Sequence, residues 1–137
     1  MNRNLVNKKI CMTKDIGIHG NVFGGILMSW LDEAGAAFAT EYCNTPNMVT
    51  LKVGELYFKK PLKAGNHVRI YCEVTHLGKT SLTLAIEATK YNLYSGEETT
   101  VCTTNMVFVR IDDDGSPTPI GESVRARHNA LTSLITQ

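Results

Sequence analysis

Neither sign of charge dominates this chain: 14 Lys and Arg stand against 13 Asp and Glu, for a formal net charge of +1. The one-signed field of a nucleic-acid or membrane-surface binder is therefore missing. Long apolar runs are missing as well. The opening residues, MNRNLVNKKICM, hold none of signal-peptide length, and no later segment approaches a membrane span. His19, His67, His76 and His128 show no metal-ligand spacing and no accompanying carboxylate cluster. The cysteines (Cys11, Cys43, Cys72, Cys102) form no C-x-x-C pair. Cys72 and Cys102 fall in strand-like segments, where a small buried thiol is the ordinary role. There is no G-x-S-x-G, P-loop or G-x-G-x-x-G. These absences point to a cytoplasmic protein with reduced cysteines, no metal, no redox cofactor, and neither nucleic acid nor membrane as partner.

What is present suits a single domain: 137 residues, 43% hydrophobic and 20% charged. Residues 4–13 alternate weakly as a first strand, and 14–21 read as a loop. A helix is expected from about Val22 or Gly24 to Tyr42, because Leu27, Leu31, Ala34 and Phe38 form one apolar stripe. Beside it runs a second stripe, Met28, Asp32, Gly35 and Ala39, small enough for another backbone to approach. Ser29, Glu33 and Thr40 lie on the far side, which suits solvent. After Pro46 the period changes to two. Residues 48–60, 67–77, 80–93 and 98–111 are expected as four long strands joined by short turns, hence antiparallel. Asp112-Asp113-Asp114-Gly115 ends the last strand. Residues 1–120 form the domain, and 121–137 a weakly helical peripheral tail with Arg125, Arg127 and His128 exposed. One long helix must cover the whole apolar sheet face, which gives an α+β architecture.

The segment GNVFGGILMSWLD at 20–32 carries the chemistry. Gly24 and Gly25 leave N–H groups uncovered where the helix begins, and such an end attracts anions and polarised carbonyls. Asp32 follows a little over two turns later, beside the core face, where an acid adds nothing to stability. One helix cannot turn both its first N–H groups and Asp32 on one substrate atom. Two antiparallel copies can, which implies a dimer with shared sites. Taken alone, Gly-Gly before a helix is usually packing or turn geometry, and Asn21 before it is usually an N-cap.

These residues resemble the hot-dog acyl-CoA thioesterases, specifically the YciA-type branch related to tandem-domain cytosolic acyl-CoA hydrolases. Four pieces carry the likeness in order: G-N-V-F-G-G with L-M-S-W-L-D-E-A-G-A at 20–36, F-K-K-P with A-G at 58–65, H-L-G-K-T-S at 76–81, and D-D-D-G-S-P at 112–117. The first is specific, and the tail from about 121 is unmatched. The resemblance implies a hot-dog fold, with a long antiparallel sheet wrapped round one central helix. It implies hydrolysis of an acyl-CoA thioester to free CoA and a fatty acid, with CoA as substrate and no further cofactor. It also implies a homohexamer built as a trimer of dimers. Asp32 takes the place of the catalytic acid, and Asn21 that of the polar residue before the helix. Gly24 and Gly25 supply the N–H groups. His19 departs from the Asn usual in bacterial relatives.

Thioester hydrolysis needs a sink for charge on the carbonyl oxygen, and oriented helix-start N–H groups suit that role. Asp32 would act as general base on water or as nucleophile. For the CoA phosphates, Lys59, Lys60, Arg69, Lys79 and Arg110 are candidates with the Gly78-Lys79-Thr80-Ser81 turn; the resemblance favours Lys60 and the turn. Phe23, Met28 and Trp30 are candidates for an acyl channel. The rival functions are a 3-hydroxyacyl dehydratase pairing His19 with Asp32, and an acyl-CoA-binding protein without turnover.

Overall fold

The computed structural model describes residues 3–136. In chain order the elements are β1 (Asn4–Ile10), a 3-10 turn at Thr13–Asp15, α1 (Gly24–Cys43), β2 (Met48–Val53), β3 (Tyr57–Phe58), β4 (His67–Leu77), β5 (Ser81–Tyr91), β6 (Glu98–Arg110) and α2 (Glu122–Thr136). The strands form one antiparallel sheet in the order β1-β4-β5-β6-β2, with β3 beside β6 beyond the end of β2. No helix among the described residues is long and apolar enough to cross a membrane.

The expected apolar stripe docks α1 on the sheet. Leu27, Leu31 and Ala34 are buried, and Phe38 is half-buried. Beneath them alternate residues of the central strands point inward: Ile70 and Cys72, then Leu82, Leu84, Ile86 and Ala88, then Met106 and Phe108. Each fully buried Leu, Ile or Phe there contributes roughly 2 kcal/mol of transfer free energy. Gly35 makes the close approach possible, since a Cβ on it would lie 2.8 Å from Phe108 Cζ and 2.9 Å from Ile86 Cδ1. The small stripe thus admits side chains of the sheet rather than another backbone. Asn44, at φ 55°, ends the helix in the left-handed conformation that Asn tolerates.

Two expectations are corrected. Residues 48–60 are not one strand. At Gly54 the chain meets β6: the Gly54 N–H donates to Asn105 O at 2.7 Å, and a Cβ would stand 3.0 Å from that oxygen. Pairing stops there and resumes only at Tyr57. The tail, too, is docked rather than peripheral. Ile120 and Val124 are buried, Arg125 and His128 are half-buried, and of the three named residues only Arg127 is exposed. Tyr42 Oη and His128 Nδ1 lie 2.7 Å apart, and the Arg127 guanidinium donates to Tyr42 O.

Candidate active site

A tightly bonded loop delivers the chain to α1. The carboxylate of buried Asp15 accepts the Met12 N–H at 3.0 Å and the Lys14 ammonium at 3.1 Å. The Met12 bond, more than the neighbouring lysine, holds this carboxyl below its usual pKa despite burial. Phe23 N–H donates to Asp15 O (3.1 Å), Gly17 N–H to Asn21 O (2.8 Å) and Val22 N–H to Leu62 O (2.8 Å). The helix therefore starts at a fixed point.

That start is bare. The N-cap is Phe23, which offers no side-chain bond, and the first turn holds no acid. The first intrahelical donor is Leu27 N–H, to Phe23 O at 3.1 Å, so the amides of Gly24, Gly25 and Ile26 have no acceptor within the helix. Asn21 is not the cap. Its Oδ1 accepts from Lys63 Nζ at 2.9 Å. In front of the helix start lies a cleft of about 360 Å³, lined by Asn21, Gly24, Leu27, Phe58, Lys59 and Lys60 among others. Neither glycine has a positive φ. A Cβ on Gly24 would touch Phe58 at 3.3 Å, whereas one on Gly25 would meet nothing within 4 Å.

Asp32 stands eight residues beyond Gly24, about 12 Å further along the axis at ~1.5 Å per residue. It is half-buried and does not line the cleft. Thr50 Oγ1 on β2 donates to its Oδ1 at 2.6 Å, and among the described residues Oδ2 has no partner. One chain thus unites Asn21, Gly24 and Lys60 but leaves Asp32 apart, beside the edge strand. His19 is exposed, and no bond links it to Asp32 among the described residues.

The 78–81 turn joins β4 to β5, closed by Gly78 N–H to Ser81 O at 2.8 Å, with Lys79 exposed. Arg69 is stacked on Tyr91 at 3.7 Å, and Arg110 Nη1 donates to Pro119 O at 2.9 Å, so both guanidinium groups are engaged elsewhere. Phe23 and Met28 are exposed, but Trp30 is buried in the core under the Lys9 ammonium, 5.9 Å from its ring. Burial pushes the thiols of Cys11 and Cys102 up to about 11 and that of Cys72 to about 12, which keeps them protonated and unreactive. A wider cleft of about 530 Å³, lined by Tyr71, Glu73 and Glu87 among others, opens on the sheet face away from α1 and has no helix amides. Sequence reasoning gave no site role to Thr50, Lys63 or Phe58, although Phe58 opens the F-K-K-P piece. Each reaches the site from a strand or loop well separated in sequence from the helix start.

The Thioesterase superfamily profile matches residues 19–96. The acyl-CoA thioester hydrolase YciA of Salmonella typhimurium is 31% identical over 119 residues, covering 85% of this chain and 89% of the relative. An uncharacterized acyl-CoA thioester hydrolase, YkhA of Bacillus subtilis, is 30% identical over 106 residues, or 77% of this chain; the chain spans only 61% of that relative's length. The crystal structure of a hexameric thioesterase from Yersinia pestis superposes with a TM-score of 0.80 at 31% identity, covering 87% of this chain and 96% of the other. A bare helix start on a cleft, a half-buried aspartate on the same helix and a single antiparallel sheet beneath them agree with these likenesses, and the chain belongs to the hot-dog thioesterase superfamily.

Proposed function

We propose that the protein hydrolyses acyl-CoA thioesters to CoA and a fatty acid, as a cytoplasmic homohexamer built from dimers. One observation carries the site assignment. Gly25, the second residue of α1, has nothing within 4 Å of where its Cβ would be and no positive φ, so neither packing nor backbone geometry within the chain calls for glycine there. Glycine at a helix start weakens the helix relative to alanine by up to about 1 kcal/mol. Close approach of a ligand or a second subunit to its backbone accounts for it.

The edge strand supplies the second subunit's place. Val49, Leu51 and Val53 of β2 are 41%, 64% and 37% exposed along an open sheet edge, which is bulged at Leu51. A second copy pairing there about a two-fold axis covers this edge and lays its α1 antiparallel to the first. The Asp32 carboxylate of one subunit then meets the Gly24–Gly25 amides and Asn21 of its partner. The amides and Asn21 polarise the thioester carbonyl, and Asp32 either activates water or attacks directly. With water as nucleophile, the C–S bond breaks to give the carboxylate and the CoA thiolate, which takes the proton that Asp32 removed. Direct attack by Asp32 expels the CoA thiol first and leaves an acyl-aspartyl anhydride, which water then opens to the fatty acid and free Asp32. Lys60 and the Gly78-Lys79-Thr80-Ser81 turn take the CoA phosphates. CoA enters as part of the substrate, with no other cofactor in the scheme.

A thiol-release assay over short, medium and long acyl-CoAs tests this. Asp32→Asn and Asp32→Ala are expected to lower kcat by about a thousandfold while the oligomer persists. Turnover retained in both variants removes Asp32 from the mechanism. Enoyl absorbance without thiol release would make the protein a dehydratase instead.

A further inference from the structure

The turn proposed above for the CoA phosphates has an unusual backbone economy. Each of its four carbonyls is already bonded within the chain. Gly78 O accepts from Arg125 Nη2 at 2.8 Å, Lys79 O from Ile120 N–H at 2.9 Å and from the same Nη2 at 3.4 Å. Thr80 O accepts from Arg110 N–H and Ser81 O from Gly78 N–H, both at 2.8 Å. The N–H groups of Lys79 and Thr80, by contrast, have no acceptor among the described residues. The negative ends of the turn's dipoles are neutralised and two donors are left over, beside an exposed ammonium and two hydroxyls. That is the electrostatic pattern of an anion nest. Arg125 alone reaches two of the carbonyls, from a helix 47 residues further along the chain than Gly78.

We propose that Arg125 is a positioning residue for substrate, and that α2 is therefore part of the binding apparatus. Its guanidinium holds the Gly78 and Lys79 carbonyls away from the bound phosphates and fixes the turn with its amides free. This rests on the turn being the phosphate subsite. Arg125 does not touch the reacting atoms, so its loss acts on binding of the nucleotide end only.

The test compares one acyl group carried on CoA and on N-acetylcysteamine, which has no phosphates. The variants are Arg125→Ala, Arg125→Lys and Lys79→Ala, in the full-length oligomer. Arg125→Ala is expected to raise KM for the acyl-CoA about tenfold, the size of one charge-assisted contact. Its kcat stays within about twofold, and kcat/KM for the N-acetylcysteamine thioester does not change. Arg125→Lys, which keeps one donor, recovers part of the KM. If Lys79→Ala raises KM for acyl-CoA but Arg125→Ala does not, the positioning role is overturned and the subsite stands. If neither variant moves KM, the subsite itself is wrong. Equal losses on both substrates would reduce Arg125 to a fold-stabilising contact and also overturn the proposal.

Discussion

Gly35 and Gly25 on α1 answer to opposite physics. Gly35 is a packing glycine: the 2.8 Å and 2.9 Å approaches of Phe108 and Ile86 to its absent Cβ come from side chains with 0% and 1% exposure. Alanine gains about 1 kcal/mol of helix propensity there, but overpacking a closed core costs roughly 1–3 kcal/mol. Gly35→Ala is therefore expected to lower the denaturant midpoint, by 1 kcal/mol or so of stability; an unchanged or higher midpoint would mean that the sheet yields. Gly25 is the opposite case. With open space around it, Gly25→Ala should leave the midpoint unchanged or raised, by up to about 1 kcal/mol, while thioester turnover falls. Activity equal to the parent would return Gly25 to the ordinary category of helix-start glycine.

At the scale of elements, what was legible in the sequence follows how local its cause is. The strands 67–77, 80–93 and 98–111 came within two residues of β4, β5 and β6, because a period-two pattern is written in consecutive residues. Helix α1 was legible through its stripe for the same reason. The break at Gly54 was not, since its cause is a carbonyl on β6, 51 positions away, that the alternation cannot encode. The candidate site divides likewise: Asn21, Gly24 and Asp32 were visible, but Thr50 and Lys63 enter only once the chain has folded back. The docking of α2 was equally hidden, and it has a measurable consequence. His128 is held against Tyr42 of α1, within the influence of the charges of His76 on β4 and Arg125 on its own helix. Burial first, and then the charges of Arg125 and His76, lower its pKa below the usual 6.5. A histidine with a depressed folded pKa is neutral in both states above 6.5, so docking is at full strength there. As pH falls below that value, the undocked helix takes the proton more readily and docking weakens. Protection of the α2 amides from hydrogen exchange, corrected for the intrinsic pH dependence of the exchange chemistry, is expected to fall as pH drops from about 7.5 to 5.5. His128→Gln should flatten that dependence, and a pH-independent protection factor in the parent would show that the pair does not anchor the helix.

At the scale of the whole molecule the question is whether one chain holds a complete site. The helix separates the Gly24 amide from Asp32 by about 12 Å, whereas a nucleophile or its water must lie within ~3 Å of the carbonyl carbon. No rotamer of one aspartate closes that gap while Thr50 holds it at 2.6 Å. The proposed pairing through β2 would close it between subunits, and that arrangement has an arithmetical signature. In it each dimer holds two sites, and each site takes Asp32 from one subunit and Asn21 from the other. Chains carrying Asp32→Ala and chains carrying Asn21→Ala, each expected to be inactive alone, are unfolded together in equal amounts and refolded. Half the dimers are then mixed, and each mixed dimer has one intact site and one doubly impaired site. Recovered activity is expected at about one quarter of the parent's for random pairing. If both groups served the same subunit's site, mixing would restore nothing. Leu51→Lys supplies the complementary measurement, because a buried charge at the pairing edge should yield monomers by sedimentation and abolish turnover together. Monomers that still hydrolyse acyl-CoA would place the whole reaction within a single chain.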